Sequence, residues 1–256
     1  MHHIPRKRFG QHFLHDPRII GKILAAIAPQ PGEPLVEIGP GLGAITLPLL
    51  ERTGALTAVE LDRDVIPHLE AAARSKGKLT IVQGDALEVD LATLAPAGAK
   101  LRLVGNLPYN VSTPLLFRFL EQADCVKDMH FMLQKEVVQR MAAKPGGKEY
   151  GRLTVMLAAR CRVEPLFSIG PGAFRPPPKV DSAFVRLVPY AEPPFPLPDP
   201  ARFARLVTQA FSHRRKTLKN ALAGLLDEAA ISSAGIDAKA RPETLSAADY
   251  ARLSRL

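Results

Sequence analysis

Apolar and polar positions along the chain follow two rhythms. Short apolar runs stop at a glycine or an acid, and stretches with apolar residues at helical spacing lie between them. Leu35-Val36-Glu37-Ile38 runs into glycines and reads as a buried strand. Residues 44–51 then read as a helix, and 55–60 as a second strand ending at Glu60. A helix over about 63–75 leads to a third strand, Leu79 to Val82, which ends at Gly84-Asp85. Residues 101–105 form a fourth strand ending at Asn106. Pro114 to Leu120 begins a helix, with Thr113 as N-cap and Pro114 at the first helical position. Met129 to Leu133 predicts a fifth strand, and 135–143 the helix after it. Residues 161–167 and 182–188 read as two more strands, the second alternating apolar and polar. Alternating strands and helices predict an α/β fold, an open parallel sheet with helices on both faces.

The rhythm changes near the end. Between Pro189 and Pro200 the prolines at 193, 194, 196 and 198 break any regular element, so about 190–199 reads as a linker. Beyond it Phe203, Leu206, Val207 and Ala210 recur at helical spacing. A main domain over 1–189 and a small all-α domain over 200–256 are expected. The polar, glycine-rich stretch Lys144 to Tyr150 suits either a mobile substrate loop or a plain surface connection.

The chain has 256 residues, 46% hydrophobic and 23% charged, within the globular range and outside that of disordered chains. No apolar run approaches the ~18 residues of a membrane span. The basic Arg6, Lys7 and Arg8 are not followed by an apolar stretch, so no secretory signal is expected. Two cysteines, Cys125 and Cys161, make neither a disulfide framework nor a zinc site; they read as buried small hydrophobes in a reducing cytoplasm. The net charge of +9 is uneven. Residues 1–22 carry five Lys/Arg against one acid, 200–256 ten against five, and the middle is neutral. A neutral body with basic ends suits a polyanion such as nucleic acid, although a basic surface also serves solubility alone. Neither end shows a heptad, and a monomer is expected.

Glu37-Ile38-Gly39-Pro40-Gly41-Leu42-Gly43 follows the first strand and opens a helix. Glycines there let the backbone turn sharply and approach a ligand. Glu60 closes the second strand, where an acid can accept both ribose hydroxyls of an adenosine ligand. Gly39-x-Gly41-x-x-Ala44 also satisfies the dinucleotide fingerprint, which leaves a hydride-transfer enzyme open. Glu37 and Asp85 tilt the choice. A carboxylate at Glu37 can orient a ligand's ammonium, and Asp85 can accept from an adenine amino group. Adenine, ribose and an ammonium without a pyrophosphate describe S-adenosylmethionine. Taken alone, Asp85 after a glycine is an ordinary turn residue.

The strongest chemical signal is Asn106-Leu107-Pro108-Tyr109 at the end of the fourth strand, where ligands of open α/β sheets sit. An adenine amino nitrogen is a poor nucleophile because its lone pair is spread into the ring. Acceptors on its two N–H bonds, the Asn106 side-chain oxygen and a backbone carbonyl such as that of Leu107, favour a pyramidal nitrogen able to attack a methyl. Pro108 stiffens the turn and removes a donor, and Tyr109 can stack on the purine. The bland reading is a turn with a half-buried tyrosine.

With these residues in place, the chain resembles the ribosomal RNA adenine dimethyltransferase family along nearly its whole length. Arg8-Phe9-Gly10-Gln11-His12-Phe13-Leu14 matches that family's cofactor-capping segment, within 1–22. Glu37 to Gly43 matches its glycine loop and Asn106 to Tyr109 its catalytic tetrapeptide. Leu133 to Val137, Glu149 to Leu153 and Phe174 to Ala183 are similar to family text, and Phe211 to Leu218 to its C-terminal basic signature.

The resemblance implies a Rossmann-like class I methyltransferase sheet with a small helical RNA-binding domain. It implies S-adenosylmethionine contacts at His12, Leu14, Gly39, Glu60, Asp85 and Asn106, beside Glu37 and Gly41 from the loop itself. Many members have Asn where this chain has His12. Phe174 matches an aromatic that sandwiches the target adenine opposite Tyr109; otherwise it reads as a strand-edge aromatic over the core. Arg175 stands where several members have another residue and takes no role. Arg214, Arg215, Lys216 and Lys219 resemble an RNA-facing helix; as a bare charge run they read as a solvated face. The activity implied is transfer of four methyl groups to the N6 amines of two adjacent adenosines in the 3′-terminal hairpin loop of 16S ribosomal RNA, on the assembling small subunit. Unpaired loop adenines cost less to extrude than paired ones. The rivals are the macrolide-resistance type, which methylates a large-subunit adenosine, and a non-catalytic assembly factor on the same fold.

Overall fold

The computed structural model describes residues 12–256. Arg8 to Gln11 of the capping segment, and Arg6 and Lys7 before it, lie outside the described residues. Contacts divide the chain into two units, residues 1–138 with 164–189, and residues 139–163 with 190–256.

The first unit opens with β1 (Phe13–Leu14) and α1 (Pro17–Ile27). Asp16 caps α1, its carboxylate accepting from the Arg18 and Ile19 amides at 2.8 and 3.4 Å, and Pro17 supplies a preset first turn. The helix buries Ile23, Leu24 and Ile27. Then follow β2 (Leu35–Ile38), α2 (Thr46–Thr53), β3 (Ala55–Glu60), α3 (Ile66–Ala73), β4 (Lys78–Gln83), β5 (Leu101–Asn106), α4 (Ser112–Glu121), β6 (Val126–Gln134) and α5 (Lys135–Met141). After α6 (Arg152–Ala158) come β7 (Cys161–Ile169), β8 (Phe174–Arg175) and β9 (Ser182–Pro189). The sheet order is β4-β3-β2-β5-β6-β9-β7, and β1 pairs with β8 apart from it.

From β4 to β6 the pairs are parallel, as the alternation predicts. β9 departs from the expected all-parallel sheet: it runs antiparallel to β6. Its first residue, Ser182, lies opposite Gln134, the last residue of β6. The chain therefore enters β9 at the carboxyl ends of the parallel strands and runs back. The α4 start also differs. The helix begins at Ser112, so Thr113 is inside it rather than capping it, and Pro114 falls in the first turn, where its missing N–H has no intrahelical partner to lose. Cys161 is buried, with its thiol pushed up to about 12 by desolvation, but Cys125 is only half-buried, its thiol on the Gln122 carbonyl.

The second unit holds α6, α7 (Pro200–Ser212), α8 (Leu218–Ala221), α9 (Glu228–Ser233) and α10 (Ala247–Leu253). Phe203, Leu206, Val207 and Ala210 of α7 are buried as their spacing predicts. Residues 139–163, assigned by the sequence to the main domain, belong here because Tyr150, Val155 and Ala159 pack in the same core as those α7 residues. The Lys144–Tyr150 stretch is tied down: the Gly146 amide donates to the Glu243 carbonyl at 2.7 Å and the Tyr150 hydroxyl to the Leu245 carbonyl at 2.7 Å.

At the amino ends of the central strands lies a buried charge network that the sequence does not announce. Arg102 donates to both Asp128 oxygens, at 2.8 and 3.2 Å, to Glu33 at 2.9 Å and to the Ile27 carbonyl at 2.8 Å. Arg186 reaches Asp128 from β9 at 2.9 Å. Burial alone would raise the Asp128 carboxyl, but Arg102, with His130 and Arg186, holds it below the usual range. Burial pushes the His130 imidazole down to about 4, against the pull of Asp128.

Removing one partner leaves a buried charge uncompensated, so Asp128→Ala should cost about 3–5 kcal/mol in denaturant unfolding. The unfolded chain binds a proton at His130 near pH 6.5 and the folded chain only near 4, so stability falls as pH drops through that window. His130→Gln should remove up to about 1.4 kcal/mol per pH unit of that slope. An equal slope in the variant would assign the acid sensitivity to other groups.

Candidate active site

The carboxyl ends of β2, β3, β4 and β5 open onto one cleft of about 1230 Å³. Since β3 and β5 flank β2, their connections leave in opposite directions, and the crevice forms at that switch point. Glu37, the glycine loop, Glu60, Asp85, Asn106, Leu107, Pro108 and Tyr109 all line it, as do His12 and Leu14.

The glycine loop is held from below. The Gly39 amide donates to the Val59 carbonyl at 2.9 Å. Glu60 accepts from the Gly41 amide at 3.1 Å and the Asp62 amide at 2.8 Å. Gly41 has φ +54°, a backbone conformation that favours glycine, and a Cβ there would crowd the Phe13 ring at 3.0 Å. Burial raises the Glu60 carboxyl above its ordinary value. Glu37 is more extreme. It is 1% exposed, and burial, with the nearby charge of Glu60, pushes it up to about 8. Its Oε2 is buried without a hydrogen-bond partner. Asp85 is half-buried and accepts from the Leu87 amide at 2.9 Å, the turn contact its bland reading foresees.

The tetrapeptide is fixed at three points. Asn106 Nδ2 donates to the His12 carbonyl at 3.0 Å, which commits the amide nitrogen and leaves Oδ1 as an acceptor. The Leu107 amide donates to the Met132 carbonyl at 3.2 Å, and its side chain is buried. The Tyr109 hydroxyl shares a 2.7 Å hydrogen bond with Ser182 Oγ, which is fully buried. Burial raises the Tyr109 phenol, keeping it neutral. The His12 ring stacks on Tyr109 with centroids 5.8 Å apart, and its Nδ1 donates to the Pro176 carbonyl at 2.8 Å. Ser182 and Pro176 were missed as site supports. Both lie in the Phe174–Ala183 stretch, but only the tertiary fold brings that stretch to Tyr109 and His12.

Two expectations change. Phe174 is 2% exposed, belongs to the core of the first unit, and is absent from the cleft wall. The aromatic beside Tyr109 is His12 instead. The basic cluster is not one helix: α7 ends at Ser212, Arg214, Arg215 and Lys216 lie in the turn before α8, and only Lys219 is helical, within α8. Within the cluster Arg214 is bound to Glu243 and donates to the Lys148 carbonyl at 2.8 Å, while Lys219 pairs with Glu228 at 3.0 Å. Arg215 and Lys216 are exposed.

The family model described as ribosomal RNA adenine dimethylase matches residues 2–256. The chain belongs to the ribosomal RNA adenine dimethylase family. It is similar to the ribosomal RNA small subunit methyltransferase A of Pseudomonas aeruginosa, 54% identical over 98% of this chain and 94% of that protein. The protein of the same name from Nitrosococcus oceani is 56% identical over 99% and 96%. Among solved structures, a dimethyladenosine transferase from Plasmodium falciparum superposes with a TM-score of 0.79 at 25% identity, covering 94% of this chain and 96% of that one. The 23S rRNA methyltransferase ErmE gives 0.73 at 26% identity, covering 95% and 98%. As a ribosomal RNA adenine dimethylase, the chain is an S-adenosylmethionine-dependent rRNA methyltransferase with the class I methyltransferase fold.

The cleft suits that cofactor chemically. A buried carboxyl oxygen without a partner fits a ligand ammonium, whose charge would favour loss of the Glu37 proton, and the bare glycine backbone fits close approach of a nucleoside. Because Glu37 keeps its proton to about 8 when folded, it costs stability as pH rises above its unfolded value near 4.5. Glu37→Gln should therefore raise the melting temperature of the ligand-free protein at pH 7–8 while weakening cofactor binding. Calorimetry and thermal melts check both; a variant that melts lower would show that the carboxyl is already stabilised where it sits.

Proposed function

We propose that this protein dimethylates the N6 amines of two adjacent adenosines in the 3′-terminal hairpin loop of 16S ribosomal RNA, on the assembling small subunit, in the cytoplasm. The observation that carries the substrate choice is full-length identity of 54–56% to proteins named for the small subunit, against 26% to the large-subunit enzyme ErmE.

S-adenosylmethionine, when bound, supplies the electrophilic methyl group. Glu37, Gly39, Gly41, Glu60, Asp85, His12 and Leu14 would hold it, with Asn106 between cofactor and substrate. Asn106 Oδ1 accepts one N–H of the target amine, and a backbone carbonyl such as that of Leu107 accepts the other. These fixed acceptors favour the pyramidal nitrogen whose lone pair attacks, and they need no reorganisation. Pro108 offers no competing N–H. Tyr109, anchored by Ser182, presents a ring for the adenine to stack on. Arg215 and Lys216, exposed in the second unit, contact the RNA backbone.

Asn106→Ala should lower kcat about a hundredfold or more in methyl transfer to unmethylated small subunits, with cofactor still bound. Wild-type turnover in that variant would refute the assignment. Nucleoside analysis should find dimethyladenosine in the 3′-terminal hairpin; label in large-subunit RNA alone would favour the ErmE-like reading. Reversing charge at Arg215 and Lys216 should weaken subunit binding and shallow its salt dependence by about one unit per lost phosphate contact. An unchanged slope would make them merely solvated.

A further inference from the structure

The β1–β8 ribbon has two faces. Phe13 pairs with Arg175 and Leu14 with Phe174, and directly opposed side chains share a face. Leu14 and Phe174 are 7% and 2% exposed and lie in the core of the first unit. The other face carries the Phe13 ring, against Gly41, and Arg175, exposed on the cleft wall; Leu14 also reaches that wall, whereas Phe174 does not.

The charge balance of that wall is lopsided. Glu37, Glu60 and Asp85 line the cleft, and Arg175 is the one Lys or Arg lining it among the described residues. Its guanidinium has no hydrogen-bond or ion-pair partner among them, whereas those of Arg102 and Arg186 in the same unit are paired with acids. A phosphodiester strand that delivers a base to this cleft approaches Glu60 and Asp85, and a cation at the entrance offsets that repulsion. A guanidinium is suited to it, since its planar fork can take two phosphate oxygens. Its backbone is well held, by the buried Phe174 before it and by Pro176, Pro177 and Pro178 after it.

We propose that Arg175 binds a backbone phosphate of the RNA strand whose adenosine enters the cleft, and so sets that strand's register. This rests on reading the cleft as an RNA methyltransferase site. The exposed position favours a phosphate that stays at the mouth while its base goes in, rather than the cofactor's carboxylate held inside.

The test is steady-state methylation of unmethylated small subunits by wild type, Arg175→Gln and Arg175→Lys over a series of salt concentrations. Affinity for S-adenosylhomocysteine is measured in parallel by calorimetry. Arg175→Gln should raise KM for subunits roughly tenfold. Its kcat should stay within about threefold, and the salt slope should become shallower by about one unit. Arg175→Lys should keep the slope and recover part of KM. Cofactor affinity should not change. A loss confined to S-adenosylhomocysteine binding would overturn the proposal in favour of the cofactor's carboxylate, and unchanged KM and slope would overturn it outright. If wild type methylates only large-subunit RNA, the small-subunit reading fails, and the same variants on that RNA still decide the role of Arg175.

Discussion

The pairing of β2 with β5 is the constraint on which the site depends. A Cβ at Gly105 would lie 2.4 Å from the Ile38 carbonyl oxygen, so the two strands can lie this close only with glycine there. The next residue after that contact is Asn106, and the next after Ile38 is Gly39. The same close approach therefore sets the distance between the glycine loop and the amide proposed to act on the amine. Asn106 is then oriented by the His12 carbonyl, which ties the segment entering β1 to the end of β5. A hydrogen-bonded amide cannot flip without leaving one partner unpaired, so the acceptor is fixed before any substrate arrives.

Stability and chemistry occupy opposite ends of the strands. At the amino ends, Arg102, Asp128, Arg186 and Glu33 satisfy one another, and Asp128 is held ionised. At the carboxyl ends, Glu37 is buried with an unpartnered oxygen and Glu60 is raised by burial. Strongly perturbed carboxyls of the second kind are a cost to the empty fold, and that cost is expected where a ligand's charge is to be matched. The paired network keeps the strands in register while the opposite end stays unsatisfied.

Much of this was legible from local pattern. Strands β2, β3 and β5 appear within a residue of their predicted bounds because each is an apolar run ended by glycine, Glu60 or Asn106. The features that were not legible depend on long-range partners. Asp128 and His130 look like ordinary polar positions in a strand until Arg102 and Arg186 arrive from β5 and β9. Phe174 has the right sequence neighbours for the cleft, but pairing with Leu14 fixes its face toward the core. The Arg214 cluster carries a helical-looking run, yet Glu243, 29 residues on, holds Arg214 in a turn. α1 was missed although Asp16-Pro17 is a cap followed by a first-turn proline, a signal that local reading could have used.

Charge also separates the cofactor readings that the glycine loop alone left open. A dinucleotide would place a pyrophosphate against the loop, where Glu37 and Glu60 are buried 1% and 6% exposed. Two further negative charges in that low-dielectric pocket would raise both carboxyls still higher and, among the described residues, would find no lysine or arginine lining the cleft except Arg175 on the β1–β8 ribbon. A sulfonium nucleoside with an ammonium brings positive charge to the same carboxylates and removes the penalty of burying them. The glycines make close approach possible, and the acids decide what may approach.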